Sequence, residues 1–182
     1  MIQITEEQIK RVRDILAGIP NGAQHALINA TNRGIITARA RSAREIAKVY
    51  QLKVGDIKRS GRISMKLATP SRLIGSITYA GNVIPLIEFD VTHWGSHLLR
   101  ASVKKGGGAT LNHAYTANLK YGTRVYERKT SKRDSSQQLF GPSVAHMMQN
   151  IDVLHEVETA TLDTLDKRIE HEISRILNGY GG

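Results

Sequence analysis

The stretch from Asn21 to Gln51 constrains the fold more than any other part of the chain, because it runs about thirty residues without a proline. Asn21 and Gln24 stand three apart at its start, as an N-cap and its reciprocal partner do. A helix of this length spans roughly 45 Å at about 1.5 Å per residue, longer than a small domain requires. Its second half reads Thr37-Ala-Arg-Ala-Arg-Ser-Ala-Arg-Glu-Ile-Ala-Lys48, and Arg33, Arg41, Arg44 and Lys48 fall along one side of the helix. The apolar residues change sides. Ala23, Leu27, Ala30 and Gly34 share one face, whereas Ile36, Ala40, Ala43, Ala47 and Tyr50 lie roughly opposite. This predicts either a break near Asn32-Arg33-Gly34 or a helix whose halves pack against different neighbours, such as one lodged between subunits.

Around that helix the chain divides by period. Before it, Thr5-Glu-Glu-Gln8 is a capping box with Ile4 and Ile9 at the staple positions, and Ile9, Val12, Leu16 and Ile19 form an apolar stripe that Gly18 and Pro20 end. Val54-Gly-Asp-Ile-Lys58 reads as a short turn or helix. From Arg62 to about Lys129 the period drops to two. Ile63, Met65 and Leu67 alternate with polar neighbours, as do Leu73, Gly75, Ile77 and Tyr79. Ile84-Pro-Leu-Ile-Glu-Phe89 reads as an edge strand, since Pro85 has no donor for a ladder. Further strands are expected around Leu99, Ala101 and Val103, around Ala117, Leu119 and Tyr121, and at Val125. Gly81-Asn82, Gly106-Gly-Gly108 and Gly122 supply turns. Thr130 to Gln138 is polar and reads as a loop. From Asn150 to Asn178 a last helix is expected, with Ile151, Leu154, Leu162, Leu165, Ile169, Ile173 and Ile176 on its buried stripe. Asp163 with Lys167 and Arg168 with Glu172 are expected to pair on its outer face, and Glu158, inside the stripe, must be paired or lie where the stripe leaves the core. The expected fold is therefore a single α+β domain over 1–182: N-terminal helices over 1–51, the second long, a central antiparallel sheet of about five strands over 52–129, a loop over 130–149, and a long C-terminal helix over 150–178.

The formal net charge of +10 predicts attraction to nucleic acid, acidic protein surfaces or anionic membrane. Residues 150–182 reverse the sign, with three basic and seven acidic side chains, so either a basic body with an acidic last helix pairs head to tail with copies of itself, or that helix presents a solvated acidic face. The absence of cysteine excludes disulfides, thiol nucleophiles and thiolate zinc sites. No apolar run reaches the eighteen or so residues of a membrane span, and the opening residues lack the order of a secretion signal.

Catalytic patterns are sparse. Gly106-Gly-Gly-Ala-Thr110 lacks the Gly-Lys-Ser/Thr of a P-loop, and no Gly-x-Ser-x-Gly elbow occurs. His93-Trp-Gly-Ser-His97 spaces two histidines as a helical metal site would, but Gly95 and the strand-like surroundings argue for a loop anchored by Trp94. Asp90 near His93 resembles half of an acid–base pair without a nucleophile. The residues predict no enzyme, no metal and no cofactor. A basic hairpin tip at Lys104-Lys105 and the helix face of Arg33, Arg41, Arg44 and Lys48 are the candidate contacts for a neighbouring subunit or for a phosphate backbone, without the signatures of sequence readout.

Three blocks taken together resemble a known family. Ala26-Leu-Ile-Asn-Ala30 leading into Thr37–Lys48, then Ile84-Pro-Leu-Ile-Glu-Phe89, then Leu139-Phe-Gly-Pro-Ser-Val144, are similar in order and spacing to the prophage minor tail protein Z family, the tail-completion proteins of phages with lambda-like tails. The likeness covers roughly residues 20 to 178; Val125-Tyr-Glu-Arg128 departs from the phenylalanine-rich form of the family. It implies a structural virion protein at the head–tail junction, needed for head–tail joining and DNA delivery. The implied partners are other copies in a ring, six by tail symmetry, a tail terminator, head-completion or tail-tube proteins, and genomic DNA in the channel. Arg41, Arg44, Pro85, Phe89, Gly141 and Pro142 are the matching motif positions. The residues leave a second class open, a free-standing non-specific nucleic-acid-binding protein.

Overall fold

Local signals decide where the helices begin. The computed structural model describes residues 4–94, 98–119, 122–130 and 135–179. In it, α1 (Glu6–Ile15), α2 (Gly22–Val49) and α3 (Val54–Ser60) open the chain. The strands β1 (Arg62–Lys66), β2 (Ser76–Ala80), β3 (Ile84–Pro85), β4 (Asp90–Trp94), β5 (Leu98–Ser102), β6 (Ala109–Leu111), β7 (Ala114–Leu119), β8 (Gly122–Arg128), β9 (Ser136–Gln138) and β10 (Phe140–Gly141) follow, and α4 (Val144–Met148) and α5 (Ile151–Leu177) close it. The Thr5 hydroxyl accepts from the Gln8 amide at 3.2 Å and the Gln8 side chain accepts from the Thr5 amide at 2.9 Å, so the capping box starts α1 as its sequence dictates. At α5, the Asn150 side chain accepts from the Asp152 amide at 3.1 Å.

The chain separates into two compact units, one of Met1–Ser42, Ile63–Thr78 and Leu154–Gly182, the other of Ala43–Arg62 and Tyr79–Val153. In the first unit Val12 and Leu16, then Ala26, Leu27 and Ala30 of α2, and Leu165, Ile169, Ile173 and Ile176 of α5 share one apolar core. Gly22 lies beside Ile176 and Gly34 beside Thr161, so α2 runs antiparallel to α5. Gln8 donates to Asp166 at 2.6 Å and Arg11 pairs with Glu170 at 2.8 Å, which sets α1 parallel to α5. The Asn32 side chain holds the segment after β1: it accepts from the Ala68 amide at 2.7 Å and donates to the Ala68 carbonyl at 3.1 Å.

The side change along α2 has a geometric origin. The helix is unbroken, and Gly22, Ala26, Ala30, Gly34, Ala38, Ser42, Ile46 and Tyr50 are buried at every fourth position. Four residues exceed one turn, so this line winds about 40° around the axis at each step. The expected second apolar face is incorrect in part: Ile36 is 43% exposed and Ala40 is exposed. The stripe expected on α5 needs the same correction. Leu165, Ile169, Ile173 and Ile176 are buried, but Ile151 is 83% exposed, and Leu154 and Leu162 are also exposed. The buried line there is Val153, Val157, Thr161, Leu165, Ile169 and Ile173, again at four-residue steps. Thr161 takes the place expected of a larger residue because it faces Gly34, and its hydroxyl donates to the Val157 carbonyl at 2.6 Å.

Glu172 also departs from expectation, being 3% exposed rather than on the outer face. Arg175 pairs with it at 3.0 Å, Asn29 donates to it at 3.2 Å and Arg168 stands at 3.9 Å, so the buried carboxylate is compensated within the unit. Asp163 and Lys167 are exposed, with no ion pair between them among the described residues. Glu158 is half-buried and has a partner in the chain.

The central sheet of about five strands is not formed. The strands make four separate antiparallel sheets: β1 with β2, β3 with β10, β4–β5–β6 and β7–β8–β9. Alternation in sequence fixes which face of a strand is buried, not which strand lies beside it, and most of these strands pair with their neighbours in sequence. Ile84–Phe89 is no continuous edge strand, since after Pro85 the chain turns into a 3-10 helix over Leu86–Glu88. The segment around His93 is strand β4, in register from Asp90 opposite Ser102 to Trp94 opposite Leu98, rather than a loop. Within the expected loop over 130–149, Ser136–Gln138 pairs with β8, and Ser143 caps α4 by accepting from the His146 amide at 3.2 Å. His97, Tyr121, residues 131–134 and the anchoring expected of the Trp94 side chain lie outside what is described.

Candidate interaction surface

Arg33, Arg41, Arg44 and Lys48 are all exposed, on the side of α2 away from its buried line. They differ in what they already hold. Lys48 pairs at 2.6 Å with Glu45, a carboxylate 3% exposed, so much of its charge serves the fold. Arg41 has a partner within the chain. Arg33 and Arg44 have none among the described residues. Arg33 and Arg41 belong to the first unit, Arg44 and Lys48 to the second.

The second unit joins the end of α2 to the turn between β5 and β6. The Lys105 amide donates to the Val49 carbonyl at 2.8 Å and the Gln51 amide to the Val103 carbonyl at 2.9 Å. Lys104 Nζ lies 5.8 Å from the centre of the Tyr50 ring, within cation–π range. The Ser102 hydroxyl lies 2.8 Å from the Lys104 carbonyl and 2.7 Å from the Gly107 carbonyl, closing the turn from inside. Gly106 there has φ +75°, a conformation glycine adopts without penalty. The glycine run therefore shapes a tight turn, and two basic segments far apart in sequence become neighbours. Part of that arrangement is local electrostatics, because lysines beside a helix C-terminus complement its partial negative charge.

Two of the motif blocks also meet. Ile84 is paired with Gly141 and Pro85 with Phe140, and the Leu86 amide donates to the Leu139 carbonyl at 3.0 Å. The Phe89 ring lies over Gly141 so closely that a Cβ built there would stand 2.4 Å from the ring edge. Pro85, Phe89 and Gly141 therefore hold one packed junction, with Phe89 buried, while Pro142 is half-buried at the entry to α4. Val144, the last residue of the third block, packs on Gly61.

Asp90 and His93 lie three apart on one strand and so point to opposite faces, which denies them an acid–base contact. Among the described residues no group of three or more His, Cys, Asp or Glu side chains is placed to hold a metal, and no helix is long and apolar enough to cross a membrane. On α5, Asp166, Glu170 and Glu172 are taken up by Gln8, Arg11 and Arg175, leaving Asp152, Glu156 and Asp163 exposed and unpaired among the described residues. Sequence reasoning missed the Tyr50–Lys104 contact and the buried Glu45. Glu45 three residues before Lys48 was a visible pairing signal; nothing local pointed from Tyr50 to Lys104. Neither the family models, nor the curated proteins, nor the solved structures contain a match to this chain.

Proposed function

We propose that the chain is a structural subunit of a phage virion, a tail-completion or neck protein at the head-proximal end of the tail, where it serves head–tail joining and DNA delivery. The observation that carries this reading is the junction of Pro85, Phe89 and Gly141: two of the three blocks behind the resemblance are distant in sequence and pack on each other. The exposed arginines of α2 and the Lys104-Lys105 turn add a surface suited to an acidic neighbour or to DNA. Its partners in this reading are other copies in a ring, by default six, with a tail terminator and head-completion or tail-tube proteins.

The test is complementation of particles that lack this chain. Arg44→Glu combined with Lys105→Glu is expected to leave heads and tails unjoined, or joined and non-infectious, by at least about tenfold in titre. Both positions are exposed, so the variant keeps the wild-type melting profile. Wild-type infectivity from that variant sinks the reading. A second reading, a free-standing nucleic-acid-binding protein, draws on the same meeting of Lys104 and Lys105 with the end of α2.

A further inference from the structure

The unpaired charges of the two long helices match each other in spacing. On α5, Asp152, Glu156 and Asp163 form one line, their directions falling within about 40° at 100° per residue. On α2, Arg33 and Arg44 form a line within about 20°, with the exposed Ile36 and Ala40 beside it. Asp152 to Asp163 and Arg33 to Arg44 are each eleven residues, about 16 Å along a helix. Each helix thus presents a pair of like charges at the same separation, with Glu156 between the pair on α5, and the signs are opposite.

We propose that a second copy of this chain docks the Asp152–Asp163 line of its α5 on the Arg33–Arg44 line of α2. The charges choose the occupant. On a chain of net +10, copies repel at a distance, and the α5 line is an acidic strip that the arginines of another copy meet with matched spacing. The two faces are different, so the contact is heterologous and propagates from copy to copy. For its meaning this contact rests on the assembly reading, but its test needs only the purified chain, so either can fail alone.

Sedimentation velocity of the purified chain, across concentration and salt, tests it. Wild type is expected to self-associate in ~50 mM salt, with a dissociation constant at least about tenfold higher in ~500 mM salt. Arg33→Glu with Arg44→Glu, and separately Asp152→Lys with Asp163→Lys, are each expected to be monomeric. An equimolar mixture of the two variants restores association between unlike copies, because the reversed α2 of one meets the reversed α5 of the other and their unreversed α5 and α2 also match. Should a double variant misfold, Arg44→Glu and Asp163→Lys alone carry the same crossed test. A wild-type chain that stays monomeric at about 0.5 mM in low salt overturns the proposal, as do charge-reversed variants that associate like wild type. A mixture that fails to restore association overturns it too, and so does retention of duplex DNA through Arg33 and Arg44 without self-association, which assigns the line to a polyanion.

Discussion

At the scale of single residues, Gly141 and Phe89 carry the most specific packing. The ring occupies the space where any other residue at 141 would place its Cβ, 2.4 Å from the nearest ring carbon. Gly141→Ala therefore forces the buried ring to move and is expected to cost about 1–3 kcal/mol. Urea denaturation reads this as a lower midpoint at unchanged slope, and an unchanged midpoint contradicts the packing. Neither partner was legible as a contact. Gly141-Pro142 reads locally as a turn, and only its place within a block singled it out. Glu172 carries a similar lesson: its spacing from Arg168 suggested a surface pair, yet the better-placed cation is Arg175, and the carboxylate is buried. Charge spacing along a helix predicts neighbours, whereas burial depends on what packs across from them.

At the scale of elements, the helices were largely legible because their signals are local. The capping box fixed the start of α1, and an uninterrupted run fixed α2. What the sequence hid was the line each long helix buries. A search for bulky residues finds Leu162 and Ile36, whereas close approach of two backbones selects small residues such as Gly34 opposite Thr161. Gly34 invited a kink on paper. In the structure a Cβ there would stand 3.5 Å from its nearest neighbour, ordinary contact distance, within an unbroken helix. Gly34→Ala is accordingly expected to stabilise the protein by about 0.5–1 kcal/mol, through helix propensity and the smaller entropy of the unfolded chain. A lowered thermal midpoint contradicts the continuity of α2 at this point. The strands were legible as period-two segments, and the β5–β6 turn through its glycines, but pairing was not, because Pro85 and the turn after it end the pattern that a longer strand would need.

At the scale of the whole molecule, two facts decide what the charge can do. The net charge of +10 remains after all acidic side chains are counted, and pairs such as Lys48 with Glu45 and Arg11 with Glu170 decide which cations are left to carry it. Lys104 and Lys105 sit at the end of α2 on a turn held by backbone bonds, a placement that makes them the contacts to remove when testing for polyanions. If the chain is a free-standing DNA binder, purified protein retains duplex DNA in ~50 mM salt and loses it by ~200 mM. Lys104→Ala with Lys105→Ala then lowers the slope of log affinity against log salt by about 2. Filter binding without detectable retention at ~50 mM removes this reading and leaves the assembly reading standing. The candidate surface was legible as a list of basic residues. Which of them are committed elsewhere was not, since Tyr50 meets Lys104 only once the strands have folded.

The winding line of small residues on α2 has one more consequence. A ridge that repeats every fourth position, with Gly22, Ala26, Ala30, Gly34 and Ala38 so alike in size, offers nearly the same profile after a slide of one repeat, about 6 Å. That line alone therefore leaves the axial setting of α2 almost degenerate, while the bulkier buried Leu27 and Ile35 stand outside it. Asn29, which bonds Glu172, and Asn32, which bonds both backbone groups of Ala68, break the tie. Two asparagines act as detents on an otherwise smooth rail.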